Sequence, residues 1–321
     1  MAHRNIELEI ERLGSFRQAP ANEAAAALRK ALSDRVNMVV AKAAKLVAEL
    51  QLHDLLPDLL RAYDRLFESP VSRDPQCWGK NAIANALRDL GYCESPPFVR
   101  GIRHVQMEPS FGKPEDTAAT LRGICLLSLP GCNDLRRGDI LRHMVDLLAD
   151  PALTVRVEAV RGLQHMEGDD SALLLRLKAR LGDPEAAVVG QVFDSLLQLE
   201  GENGIPFVSA YLHADPDARH EAALALGSSR LPAAVDLLKR TWDSTRESEF
   251  REVLLRAIGL SRQQSGIEFL LNVIRESRTQ EVKIALEVLA LDRNPETRRL
   301  AEVAAAEAGP AIRALCDRAF T

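Results

Sequence analysis

The side chains in this 321-residue sequence that could do chemistry are seven histidines, five cysteines and the carboxylates around them. The histidines stand at 3, 53, 104, 143, 165, 213 and 220, and none forms the HxxxH or HExxH pair that would put two ligands on one helix face. His213 and His220, with Asp215 and Asp217 between them, lie across a loop and read as no metal site. Cys77, Cys93, Cys125, Cys132 and Cys316 are odd in number and lack CxxC spacing, so neither a disulfide framework nor a zinc site is expected. They read as buried or half-buried reduced thiols. Cys77 beside Trp78 would be a nucleophile only with a neighbouring base and a lowered pKa, and the sequence shows neither. GxSxG elbows and glycine-rich phosphate loops are missing; glycines such as those ending LRDLG (87–91) and LKARLG (177–182) read as helix C-caps. The expectation is no catalytic residue, no metal and no cofactor.

One chemical group does recur at regular spacing. Asp-Pro, preceded by Leu and followed by an Ala/Val/Leu run, returns in LADPALTVRVEAVRGL (148–163), LGDPEAAVVGQVFDSL (181–196) and LHADPDARHEAALAL (212–226). Related segments are LSDRVNMVVAKAAKLV (32–47), DPQCWGKNAIANAL (74–87), DTAATLRGICLLSL (116–129), SEFREVLLRAI (248–258) and QEVKIALEVL (280–289). Their closing apolar residues are Val47, Leu87, Leu129, Leu163, Leu196, Leu226, Ile258 and Leu289, separated by 40, 42, 34, 33, 30, 32 and 31 residues. Asp accepts hydrogen bonds from free amides at a helix start, and Pro just after it removes no donor the helix would use. First helices are expected between these segments, at 139–150, 171–182, 205–214, 232–242 and 267–277, where apolar residues recur at three and four.

Composition agrees. With 46% apolar, 27% charged and only 4% aromatic residues, the core must be small aliphatic side chains between closely approaching helices, which disfavours β architectures. The expected fold is all-α: a right-handed α-solenoid of about eight stacked helical hairpins, forming a single domain over residues 1–321. Within it, 1–19 is an N-terminal cap or arm, 20–292 the repeats, and 293–321 a C-terminal helical cap broken at Gly309-Pro310. A net charge of −5 argues against nucleic acid as a partner. The first residues, MAHRNIELEIERLG, lack the apolar core of a signal peptide, and no stretch is long and apolar enough to span a membrane, so the expected location is the cytoplasm.

Residues 22–292 resemble the HEAT and HEAT-like repeats, including those of bilin lyase subunits. The resemblance implies an Asp in the inter-helix turn and an Arg in the second helix, stacked as a polar ladder. Asp116 with Arg122, and Asp150 with Arg156, stand six apart as that pattern asks, and Asp74 with Lys80 repeats it with Lys. Val40, Val189 and Glu221 interrupt it.

Two units run long, through LFESPVSRDPQCW (66–78) and RHVQMEPSFGKPED (103–116). Insertions in a repeat array tend to map to a binding face. Positions eight and eleven after each turn Asp share a helix face and read Lys42 and Lys45, Ala82 and Asn85, Glu158 and Arg161, Gln191 and Asp194, against Ile124 and Leu127 in the third unit. The 105–115 loop is therefore expected to fold over Ile124 and Leu127 through Met107 or Phe111. Trp78, Lys80, Asn81, Arg100, Arg103, His104, Glu108 and Arg122 are expected to converge nearby.

The function these features suggest is a non-enzymatic scaffold holding a protein or peptide on its concave face. Its contacts are the polar line Lys42, Lys45, Asn85, Glu158, Arg161, Gln191 and Asp194, together with the long-loop cluster and Phe111. The alternative implied by the resemblance is a HEAT-like enzyme or enzyme subunit, acting as in bilin attachment or alkyl-base DNA glycosylases; for the latter, Trp78 and Asp74 match only fragments.

Overall fold

The computed structural model describes residues 5–276 and 279–320. His3, with the rest of residues 1–4 of the expected N-terminal cap, Ser277 at the end of the 267–277 helix, and Thr321 of the C-terminal cap lie outside them. The fold is an all-α solenoid of helical hairpins, and its contacts gather residues 1–162 and 163–321 into two compact units.

The first unit contains α1 (Ile6–Ser15), α2 (Ala21–Leu32), α3 (Asn37–Glu49), α4 (Leu56–Leu66), α5 (Pro70–Arg73), α6 (Trp78–Asp89), α7 (Pro96–Ile102), the strands β1 (Met107–Glu108) and β2 (Glu115–Asp116), α8 (Ala119–Ser128) and α9 (Arg137–Leu147). It ends within α10 (Leu153–Met166). Here α3, α6 and α8 stack in succession, with α2, α4 and α7 paired against them and α1 docked on α3. Leu13 of α1 is buried, and Arg17, just after that helix, reaches Glu49 at 2.8 Å.

The second unit contains α11 (Gly168–Leu181), α12 (Ala186–Glu200), α13 (Ile205–Ser209), α14 (Pro216–Ser228), α15 (Pro232–Ser244), α16 (Ser248–Leu260), α17 (Gln264–Glu276), α18 (Thr279–Ala290), α19 (Pro295–Ala308) and α20 (Pro310–Ala319). Its second helices α12, α14, α16 and α18 stack in order, and α20 closes against α18 and α19. Gly309, at φ 115, provides the expected break before Pro310.

Each expected second helix is present, and all eight closing apolar residues from Val47 to Leu289 are buried. The Asp turns work in two ways. Asp215 is a true N-cap, accepting from the Ala218 amide at 3.1 Å. Asp34, Asp116, Asp150 and Asp183 instead accept from the amide two residues on, at 2.8–3.0 Å, and their helices begin three residues after the Asp.

Polar rungs thread between these helices. Arg122 and Lys80 reach Asp116 and Asp74 of their own turns at 2.7 and 3.0 Å. Arg156 donates to the Asp150 carbonyl at 2.9 Å. Arg251 makes the same reach of six residues to the Thr245 carbonyl, and pairs with Glu281 of the next repeat at 2.6 Å. The turn residue there is Thr, so no Asp marks the rung in the sequence.

The candidate functional site at the start of α6

Two successive non-glycine residues, Gln76 (φ 61, ψ 13) and Cys77 (φ 54, ψ 21), adopt the left-handed conformation just before Trp78. That geometry costs an L-residue about 1–2 kcal/mol each, so neighbouring groups must hold it. Asp74 supplies one anchor. Its carboxylate, fully buried, accepts from the Gly79 and Lys80 amides at 2.7 and 2.9 Å and pairs with the equally buried Lys80 ammonium. Asn37, from the preceding repeat, adds a fourth donor at 2.9 Å.

The second anchor comes from the long loop, which is a hairpin with Met107 opposite Asp116 and Glu108 opposite Glu115. The Glu108 carboxylate is buried and accepts from the Gln76 amide at 2.7 Å, Thr117 Oγ1 at 2.7 Å and Gln106 Nε2 at 2.6 Å. Gln106 Nε2 also reaches the Asp74 carbonyl at 2.9 Å. Burial pushes the Glu108 pKa up, but the donors from Thr117, Gln106 and Gln76 outweigh it and hold the group below the ordinary carboxylate value. Cys77 is sealed beneath: burial lifts its thiol to about 11, so it stays protonated and is no nucleophile at neutral pH.

The outcome is a rigidly held Trp78 that is nonetheless 48% exposed. On one side lies a groove of ≈ 940 Å³ formed by α1, α3 and α6. Ile10, Met38, Ala41, Ala82 and Ala86 give it an apolar lining, and Lys42, Lys45, Asn81 and Asn85 add polar groups. On the other lies a cleft of ≈ 600 Å³ lined by Gln76, Asn81, Glu115, Thr117 and Thr120 among others. Trp78 and Asn81 belong to both.

The structure thus gathers five of the expected contact residues, Lys42, Lys45, Trp78, Asn81 and Asn85. Three others must be corrected. Lys80, Glu108 and Arg122 are buried and fully engaged in hydrogen bonds or ion pairs, so they support the site and offer nothing to a partner. Arg100, Arg103 and His104 line a separate cleft of ≈ 580 Å³ with Phe67. There Arg100 stacks on the Phe67 ring at 4.0 Å and pairs with Asp64 at 2.7 Å. His104 meets the edge of the same ring, and burial holds its pKa below the ordinary value despite the Gln106 contact.

The expected cover over Ile124 and Leu127 does not form. Phe111, at the hairpin tip, is 110% exposed and Met107 is exposed as well, because the hairpin is anchored through its polar side on Gln76 and Thr117. Leu127 instead faces Gly162 of α10. Glu158 and Arg161 pair with each other on α10 at 3.0 Å. Gln191 and Asp194 lie on α12 in the second unit, where Gln191 reaches Ser195 Oγ at 3.3 Å. Asn37, Gln76, Glu115 and Thr117 are not among the residues the sequence singles out; the two extensions contain Gln76 and Glu115, and nothing in the sequence marks Asn37.

All five cysteines are free, and among the described residues no group of three His, Cys, Asp or Glu is placed to hold a metal. No described helix is long and apolar enough to cross a membrane.

Comparison with known proteins addresses the repeat itself. Residues 205–290, which cover α13 to α18, match the family model for HEAT repeats. This segment is similar to HEAT repeats. The HEAT match takes in the Asp215 cap and the Arg251 rung. Among solved structures, human deoxyhypusine hydroxylase in complex with glycerol aligns at 20% identity and TM-score 0.30, covering 80% of this chain and 91% of that one. The complex of CpcE and CpcF of phycocyanin lyase from Nostoc sp. PCC7120 aligns at 15% identity and TM-score 0.34, covering 88% and 93%. An engineered protein aligns at 14% identity and TM-score 0.34, covering 99% and 96%. No curated protein matches the sequence.

Proposed function

We propose that this chain is a HEAT-repeat scaffold that binds a protein or peptide in the groove of α1, α3 and α6, with Trp78 as the anchor. One observation carries the reading: a strained turn, a buried Asp74–Lys80 pair and a buried Glu108 hold a half-exposed tryptophan at the junction of two clefts. Strain of this kind persists where surrounding structure over-determines it, and such places cluster at ligand clamps. Tryptophan is among the residues enriched at interface hot spots. Lys42, Lys45, Asn81 and Asn85 supply polar contacts around the apolar lining.

The free thiols suit a reducing compartment such as the cytoplasm. The enzyme alternative has less to stand on, since the one thiol beside Trp78 is buried and protonated. Arg100, Arg103 and Phe111 remain secondary candidates for contact.

The test is a photo-crosslinking amino acid placed at Asn85, with a second placed at Leu173 on α11 as control, in the native host. A discrete adduct is expected at position 85 alone and should disappear when Trp78→Ala is added, while circular dichroism and Tm stay near those of the parent. An adduct unaffected by Trp78→Ala, or none at position 85, rejects the groove.

A further inference from the structure

We propose that the cleft on the hairpin side of Trp78 receives a guanidinium group, the side chain of an arginine in the bound partner. This deepens the groove reading and rests on it. The cleft is walled by acceptors and carries no Lys, Arg or His. Glu115 projects from β2 directly opposite Glu108 on β1, and like charges facing each other across strands are destabilising. Glu108 has its donors, whereas Glu115 has no side-chain partner among the described residues. Asp116 pairs with Arg122 at 2.7 Å, whereas Glu115 has no cation beside it among the described residues, so Glu115 is the carboxylate of the cleft open to an incoming cation.

Two further observations favour arginine over a simpler cation. Asn81 Oδ1 is buried without a hydrogen-bond donor, and Asn81 lies one helical turn from Trp78 on the same face. Trp78 offers an indole that belongs to both clefts. A planar guanidinium stacks on an aromatic face while its in-plane N–H groups reach separate acceptors, here Glu115 and Asn81. An ammonium, as a point donor, does one or the other. The partner chemistry that fits is therefore an arginine adjoining an apolar residue, the arginine crossing Trp78 and the apolar side chain entering the α1, α3 and α6 groove.

The full chain labelled with 5-fluorotryptophan reports this directly by 19F NMR, because it holds only two tryptophans, Trp78 and Trp242. Trp78→Phe assigns the lines. Titration with N-acetyl-arginine amide should shift the Trp78 line and leave Trp242 in place. N-acetyl-citrulline amide, neutral but nearly isosteric, should shift it far less. Glu115→Gln, an exposed change, should weaken the arginine response about threefold. A Trp78 line that stays still up to the solubility limit, or moves equally with citrulline, overturns the proposal. If the position-85 adduct persists in that case, the groove reading survives the loss; if the adduct also fails, both fall.

Discussion

Arg122 grips both carboxylate oxygens of Asp150 in the following repeat, at 2.8 and 2.9 Å, while also holding Asp116 of its own repeat at 2.7 Å. The guanidinium is almost wholly buried, and a further N–H reaches the His104 carbonyl at 3.0 Å. One side chain therefore joins two repeats and the root of the hairpin. Burial opposes its charge, but the hydrogen bonds to Asp150 and Asp116 win, and its pKa lies above the ordinary value.

Arg122→Met should lower unfolding free energy by about 3–5 kcal/mol, since it leaves two carboxylates without their cation. Adding Asp150→Asn should recover part of the loss. Urea denaturation of the four proteins in the cycle measures both effects, and equal stability of the single variant and the parent would contradict the rung.

Glu108→Gln places an amide donor among the four donors that converge on that carboxylate, and should cost about 3 kcal/mol at neutral pH. Because the folded-state pKa is depressed below 4.5, the stabilisation is fully present above that value and lost as pH falls through the folded pKa. The gap between parent and variant should therefore close on acidification. Melts at neutral pH and below about pH 4 test this, and a gap that widened in acid would show the wrong sign.

Asp194 on α12 and Glu221 on α14 behave oppositely. Burial raises the pKa of both, and at Glu221 the neighbouring Asp194 and Asp217 add to it. The folded state then binds more protons than the unfolded chain, so stability falls as pH rises from the unfolded to the folded pKa. Asp194→Asn or Glu221→Gln should raise Tm at pH 7 and have little effect below the ordinary values of 3.8 and 4.5. Thermal scans across that range decide it.

Gly227 on α14 lies so close to α16 that an added Cβ would overlap the Ala257 carbonyl. Gly227→Ala should cost about 3 kcal/mol by forcing two backbones apart. The same change at Gly131, where a Cβ meets nothing, should be nearly neutral. Equal urea midpoints for the two variants would contradict close packing at this crossing.

The sequence by itself determined the repeat. Asp turns and Ala/Val/Leu runs act within one helical hairpin, where local hydrogen bonding and apolar periodicity suffice, and all eight closing residues from Val47 to Leu289 are buried as the period requires. Spacing alone also places Lys42, Lys45 and Asn85 at equivalent positions on their helices, and the long units draw attention to Trp78 and Asn81. Tertiary structure decided which charged residues stay available. Lys80, Glu108 and Arg122 are buried: Lys80 pairs with Asp74 and Arg122 with Asp150, while neutral donors, among them the Gln76 amide 32 residues away, hydrogen-bond Glu108. The left-handed turn at Gln76 and Cys77 was equally illegible. Neither residue favours that conformation, and it is held by Asp74 on the Gly79 and Lys80 amides and by Glu108, 32 residues away, on the Gln76 amide.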